Sequence, residues 1–201
     1  MRLGLYGGSF DPVHYGHLLL AESCREQCRL DRVWFAPAAV PPHKQDRQLS
    51  TASDRIEMLK LAIGGHEAFS VYLGEIERGG VSYTVDTLET LHAEHPGDEW
   101  FLLMGADSLA DLPNWRKPER ICELAIPAVV RRSGSPEPDD IVLAKLMSPG
   151  RLALARENRV TMPVIELSAS EIRRRIAAGQ SIRYRTPRAV EKFIETHGLY
   201  R

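Results

Sequence analysis

The chain has little cysteine: Cys24, Cys28 and Cys122 are the three among 201 residues. An odd count, with two of them four residues apart in a helical pattern, argues against a disulfide framework and for small core residues. Long apolar runs are lacking too. None approaches the ~20 residues that span a bilayer. The N-terminus carries one Arg before a strand-like stretch, not the charged and then apolar regions of a leader. A cytoplasmic protein with no membrane partner is expected. Charge of one sign is not in excess, because 26 Lys and Arg face 27 Asp and Glu for a net charge of −1. Nucleic-acid-binding domains depend on a large positive surplus, so no nucleic-acid partner is expected.

The usual phosphate loops are missing as well. Neither GxxxxGK[ST] nor GxGxxG occurs, so the glycines here serve another device if they serve a nucleotide. No cluster of carboxylates suggests a metal cage, and no protein-made metal site is expected. His92 and His95 fall at the end of a helical pattern before Pro96 and read as solvated.

What is present is a core and an alternation. Hydrophobic residues make up 43% of the chain, an ordinary fraction for a protein that buries an interior. The runs "LGLYG", "RVWFAPA", "FSVYL", "EWFLLMG", "AIPAVV" and "VTMPVIEL" read as strands. Between them fall helical patterns: one over residues 17–30, one opened by Thr51 and Asp54 in a capping box, and one capped by Thr84. Residues 133–150 read as an exposed connection. Two marked helices follow, one opened by Ser168 and Glu171 and stopped by Gly179, the other opened by Thr186-Pro187 and ended by Gly198. Strands separated by helices imply βαβ units, hence a mostly parallel, doubly wound α/β sheet with helices on both faces. One domain over 1–201 is expected, its C-terminal part, from about 168 to 201, being helical. Such sheets bind ligands beyond the strands' carboxyl ends.

The run "LGLYGGSFDPVHYGHLLLAE", residues 3–22, lies in that place. Gly7 and Gly8 can take positive φ and let a ligand approach the backbone. A helix mouth gathers open N–H groups and positive potential. His14 and His17 beside it can donate to phosphate oxygens. Taken singly, such glycines are most often just a turn and such a histidine most often a solvated cap. Asp11 either orients a neighbour or makes an Asp-Pro turn with Pro12, and the turn is the preferred reading. The string "GGSFDPVHYGH", followed in order by "PPHK", "SYTVDT", "GADSLADLPNW" and "LSASEIR", resembles the nicotinate-nucleotide adenylyltransferases of the HxGH nucleotidyltransferase superfamily. The likeness runs the length of the chain. In the last block the family commonly has ISSTxIR, so Ala169 lacks a hydroxyl found there.

The resemblance implies a Rossmann-like fold and a reaction. ATP and nicotinic acid mononucleotide would give the deamido dinucleotide and pyrophosphate. His14 and His17 would be catalytic, stabilising charge on the transferred phosphoryl group. Gly8, Ser9, Phe10, His43, Lys44, Gly105, Asp107, Ser168, Ser170 and Arg173 would hold ATP and its phosphates. Gly7, Gly8, Ser9, Thr84 and Trp115 would hold the mononucleotide. Mg²⁺ would come with ATP, and a homo-oligomer is possible. Alternatives are the nicotinamide mononucleotide as acceptor, phosphopantetheine adenylyl transfer, or a silent nucleotide-binding module. Spacing alone gives Trp115 a packing role, Thr84 a cap and Ser168 with Glu171 a plain capping box.

Overall fold

A computed structural model describes residues 1–42, 49–134 and 140–201. Six strands form one sheet: β1 (Arg2–Gly8), β2 (Arg32–Pro37), β3 (Phe69–Val71), β4 (Glu99–Gly105), β5 (Ile126–Arg132) and β6 (Val160–Met162). Trp100 to Met104 are buried without a break, as are Ile126 to Val130. Continuous apolar runs suit strands covered on both faces, where alternation would leave polar groups under helices. At Gly4 a Cβ would come 2.8 Å from Leu30 Cδ1 and 2.9 Å from Leu103 Cδ1, so a side chain there would push both leucine tips aside.

All five pairings are parallel, in the order β3-β2-β1-β4-β5-β6. The chain winds outward from β1 to β3, then returns to pair β4 with the other edge of β1. With right-handed crossovers, that reversal puts helices on both faces and opens a crevice at the carboxyl ends of β1 and β4.

Ten helices connect and flank the strands among the described residues: α1 (Tyr15–Gln27), α2 (Ala52–Ile63), α3 (Gly74–Arg78), α4 (Thr84–Glu94), α5 (Ala106–Asp111), α6 (Pro118–Leu124), α7 (Ile141–Leu146), α8 (Pro149–Glu157), α9 (Ala169–Ala177) and α10 (Arg188–His197). Thr51 caps α2, its hydroxyl accepting from Asp54 N at 3.1 Å. Ser168 caps α9 in the same way through Glu171 N, also at 3.1 Å. Gly198 closes α10 with φ of 63°. α10 packs on α2, and α4 on α6. The three thiols are unpaired and buried.

Some expectations need correction. α1 begins at Tyr15 with His14 as its cap, two residues earlier than periodicity suggests, because the imidazoles and Gly16 belong to the first turn. Tyr83, not Thr84, occupies the cap of α4. The stretch 133–150 is not all connection, since α7 and the start of α8 lie in it. Leu143 there is buried, and one apolar anchor in a six-residue helix gives too short a pattern to read. His92 and His95 are bonded or stacked, not solvated. His92 Nε2 lies 2.7 Å from the Leu124 carbonyl, and His95 packs edge-on against Trp34 at 5.1 Å.

Candidate active site

Six residues, Ser9 to His14, join β1 to α1. Gly7 and Gly8 remain extended at the end of the strand, contrary to the expectation of positive φ, which falls instead on Phe10 at 47°. That bend turns the Phe10 ring back into the core, 5.5 Å from Tyr6 and 5.1 Å from His17. Phe10 is therefore an interior residue, not part of the crevice wall. Gly8 is needed for this packing: a Cβ there would sit 3.0 Å from the Phe10 ring. Around Gly7 there is open space. Asp11 does form the expected turn, with a cis bond to Pro12, and its side chain is buried.

Gly16 gives the histidine pair its shape. A Cβ at this position would meet the His14 ring at 3.0 Å, so the missing side chain lets the imidazole fold back over the helix mouth. There it stacks on His17, with centroids 3.7 Å apart and planes 21° from parallel. The His14 N–H donates to His17 Nδ1 at 3.2 Å. With Nδ1 accepting, the neutral His17 ring carries its proton on Nε2. His14 is buried, and its Nδ1 has no hydrogen-bond partner among the described residues. Burial pushes its pKa down from 6.5 to about 4, because a desolvated imidazolium loses hydration that nothing nearby replaces.

Two hollows are lined by this pair, and another adjoins both. The first, of about 390 Å³, lies over the ends of β1 and β4 and is lined by Gly7, Gly8, Ser9, Thr84, Gly105 and Trp115 among others. The second, of about 340 Å³, shares Tyr6 and Gly105 with the first and adds His14, His17, Asp107, Arg131 and Arg132. The third, of about 320 Å³, joins His14 and His17 to Ser9, Ser168, Ser170 and Arg173. Blocks more than 150 residues apart in sequence thus face one crevice. Arg173 is already engaged, donating to the Asp11 carbonyl and to Ser170 Oγ. Trp115 Nε1 donates to Asp111 Oδ2 at 3.1 Å, which leaves the indole in the first cavity's wall. His43 and Lys44 lie outside the described residues.

Several wall residues escaped the sequence reading. Arg131 and Arg132 end β5 at the same edge as the histidines; their place at the carboxyl end of a parallel strand is a signal that could have found them. Arg116 lines the first cavity, lies 4.7 Å over the Tyr83 ring and pairs with Asp86 at 3.3 Å. Glu75 also lines the first cavity, buried, and accepts from Thr87 Oγ1 at 2.9 Å. Desolvation raises its pKa, opposed by hydrogen bonds from Thr87 and Ser82. It sits on the five-residue α3, which periodicity could not reveal.

No group of three or more His, Cys, Asp or Glu side chains comes together in metal-binding fashion among the described residues. Nor is any described helix long and apolar enough to cross a membrane.

A parallel sheet of this order, with a histidine pair at the mouth of its first helix, fits a nucleotidyltransferase. The cytidylyltransferase-like family matches residues 5–175, and the chain belongs to it. Within that family it belongs with the nicotinate-nucleotide adenylyltransferases. A Thermomicrobium roseum protein named "Probable nicotinate-nucleotide adenylyltransferase" is 44% identical over 200 residues, covering 100% of this chain and 92% of the relative. A Salinibacter ruber protein of the same name is 42% identical over 201 residues, covering 100% and 98%. Among solved structures, Plasmodium falciparum nicotinic acid mononucleotide adenylyltransferase complexed with NaAD has a TM-score of 0.76 at 19% identity, covering 99% of this chain and 97% of that one. At that identity the likeness concerns the fold.

Proposed function

We propose that this chain transfers the adenylyl group of ATP to nicotinic acid mononucleotide, forming the deamido dinucleotide and pyrophosphate in NAD biosynthesis. The observation that carries the reading is the join between the hollows: Ser9 belongs both to the aromatic cavity with Trp115 and to the cleft of His14, His17 and the α9 mouth. Two substrates seated in these spaces would meet beside the end of β1, where the mononucleotide phosphate can attack the α-phosphorus of ATP in line.

Such transfers need placement and charge stabilisation more than covalent help. The attacking phosphate monoester is already anionic, so no protein base is required. His14 and His17 stabilise charge that develops on the transferred group and on pyrophosphate. His17, with Nδ1 engaged, presents Nε2–H as a donor. A bound polyphosphate raises the affinity of His14 for a proton, turning its imidazole into a cationic donor beside the neutral His17. Ser168, Ser170 and the first amides of α9 hold the distal phosphates, with Arg173 adding charge. Gly105 admits the nucleotide close to β4, and Asp107 accepts from ribose hydroxyls. Any divalent ion, Mg²⁺ in this reading, arrives on the triphosphate and keeps part of its water shell. Trp115 stacks on the pyridine ring. The amides opening α4 at Thr84, with Arg116 nearby, favour a carboxylate over an amide at the ring's far end. The whole of 1–201 acts as one unit in this scheme, its C-terminal helices closing the ATP side. Unpaired buried thiols fit a reducing, cytoplasmic setting.

The test is to incubate the chain with ATP, Mg²⁺ and either mononucleotide, then separate the products. Deamido dinucleotide and pyrophosphate should form, faster with the acid than with the amide. No product with either would refute the transfer, and faster use of the amide would refute the acceptor.

A further inference from the structure

The β1–α1 loop is aperiodic, yet it must present Ser9 and His14 in fixed positions. Side chains from far along the sequence take up its carbonyl groups. Arg55 Nη1 donates to Ser9 O at 3.1 Å and to Ala38 O at 2.8 Å. Arg173 donates to Asp11 O, and Thr186 Oγ1 to Val13 O at 2.8 Å. At the loop's end, Tyr15 N donates to Arg185 O at 3.2 Å.

The loop's one carboxylate is anchored as well. Asp11 is 2% exposed. Its Oδ1 accepts from the Tyr200 hydroxyl at 2.6 Å, a contact spanning 189 positions, while Oδ2 has the longer bond of 3.4 Å from Ser50 N. The Arg55 cation provides the opposing charge. Tyr200 keeps its proton firmly, since burial and the adjacent Asp11 both raise its pKa. It is thus a permanent donor whose acceptor lies three residues before His14.

We propose that Tyr200, acting through the Asp11 carboxylate, is a positioning residue for adenylyl transfer, an inference that rests on the reaction proposed above. The phenol holds Asp11 so that the loop enters α1 with Ser9 and the His14–His17 stack turned to the crevice. It touches neither substrate. Charge-stabilising donors work only where they are pre-set, and a displacement of about 1 Å at such a group can cost roughly 100-fold in rate.

Tyr200→Phe removes one oxygen and keeps the ring, so the variant should fold. In the pyrophosphate-release assay its kcat should fall by about 10- to 100-fold, while the KM for the mononucleotide, whose cavity takes only Ser9 from this loop, changes less than about threefold. Asp11→Asn should lower kcat similarly, and the double variant should be little worse than either single one, because both break the same link. Amide exchange should quicken across Ser9–Tyr15 and stay unchanged in α10, a readout that needs no turnover. Tyr184→Phe, at a tyrosine 84% exposed, should leave all these unaltered. A folded Tyr200→Phe protein with lower Tm but native kcat and loop exchange would make Tyr200 merely structural and overturn the inference, as would multiplying effects in the double variant. An inactive wild-type protein would overturn the reaction and this inference together. An active wild type matched by its Tyr200→Phe variant would overturn the inference alone.

Discussion

His14 should make the protein lose stability on mild acidification, by an amount its burial sets. The folded pKa lies near 4 against 6.5 for an ordinary imidazole, so the unfolded chain binds this proton more tightly than the folded one. Linkage then gives the sign: the stabilisation is fully present above pH 6.5 and is lost progressively as pH falls toward 4. Integrating the two titrations between pH 7 and pH 5 gives a loss of about 2 kcal/mol. The perturbation is His14→Gln, a polar side chain that does not titrate in this range. Urea melts at both pH values measure the effect as the wild-type loss minus the variant's, which cancels most other groups. The difference should be about 2 kcal/mol. Equal losses in the two proteins would refute the argument, as would a His14 NMR titration centred near 6.5. ATP should protect the wild type more at pH 5 than at pH 7, since polyphosphate favours the imidazolium.

Other substitutions separate binding from catalysis and from folding. His17→Ala should cut kcat by about 100- to 1,000-fold, as for the loss of one oriented donor; a change confined to KM would reduce it to uniform binding. Trp115→Ala should raise the KM for the mononucleotide by roughly tenfold or more with little change for ATP, because base–aromatic stacking contributes about 1–3 kcal/mol; equal weakening of both substrates would make the indole a packing anchor. Arg55→Met should destabilise the fold by about 3–5 kcal/mol in urea melts, since it takes their side-chain donor from the carbonyls of Ser9, Ala38 and Ser50 and removes the charge that opposes the buried Asp11 carboxylate. A loss below about 1 kcal/mol would show those groups reached by water.

Much of this protein is local in origin and therefore legible in the chain. Unbroken apolar runs mark β4 and β5 as strands covered on both sides. Thr51 with Asp54, and Ser168 with Glu171, cap their helices as their spacing dictates. The alternation of elements gives a doubly wound parallel sheet, and the ordered blocks around His14 and His17 point to the family. Short elements were illegible: α3, α5 and α7 have five or six residues, fewer than two turns, so no periodic face can build up.

Tertiary structure alone decided what lies across from what. The strand order sets β1 beside β4 and so brings Gly105, Trp115 and Thr84 to the crevice that the opening loop borders. It carries Arg131 and Arg132 to the histidines, turns Phe10 inward although Ser9 before it faces the cavity, and buries Glu75 in a binding wall. It also joins Tyr200 to Asp11. Helix caps and strand faces depend on residues three or four positions apart, whose geometry the backbone fixes. Contacts across 150 residues depend on where the sheet returns, and no local pattern encodes that.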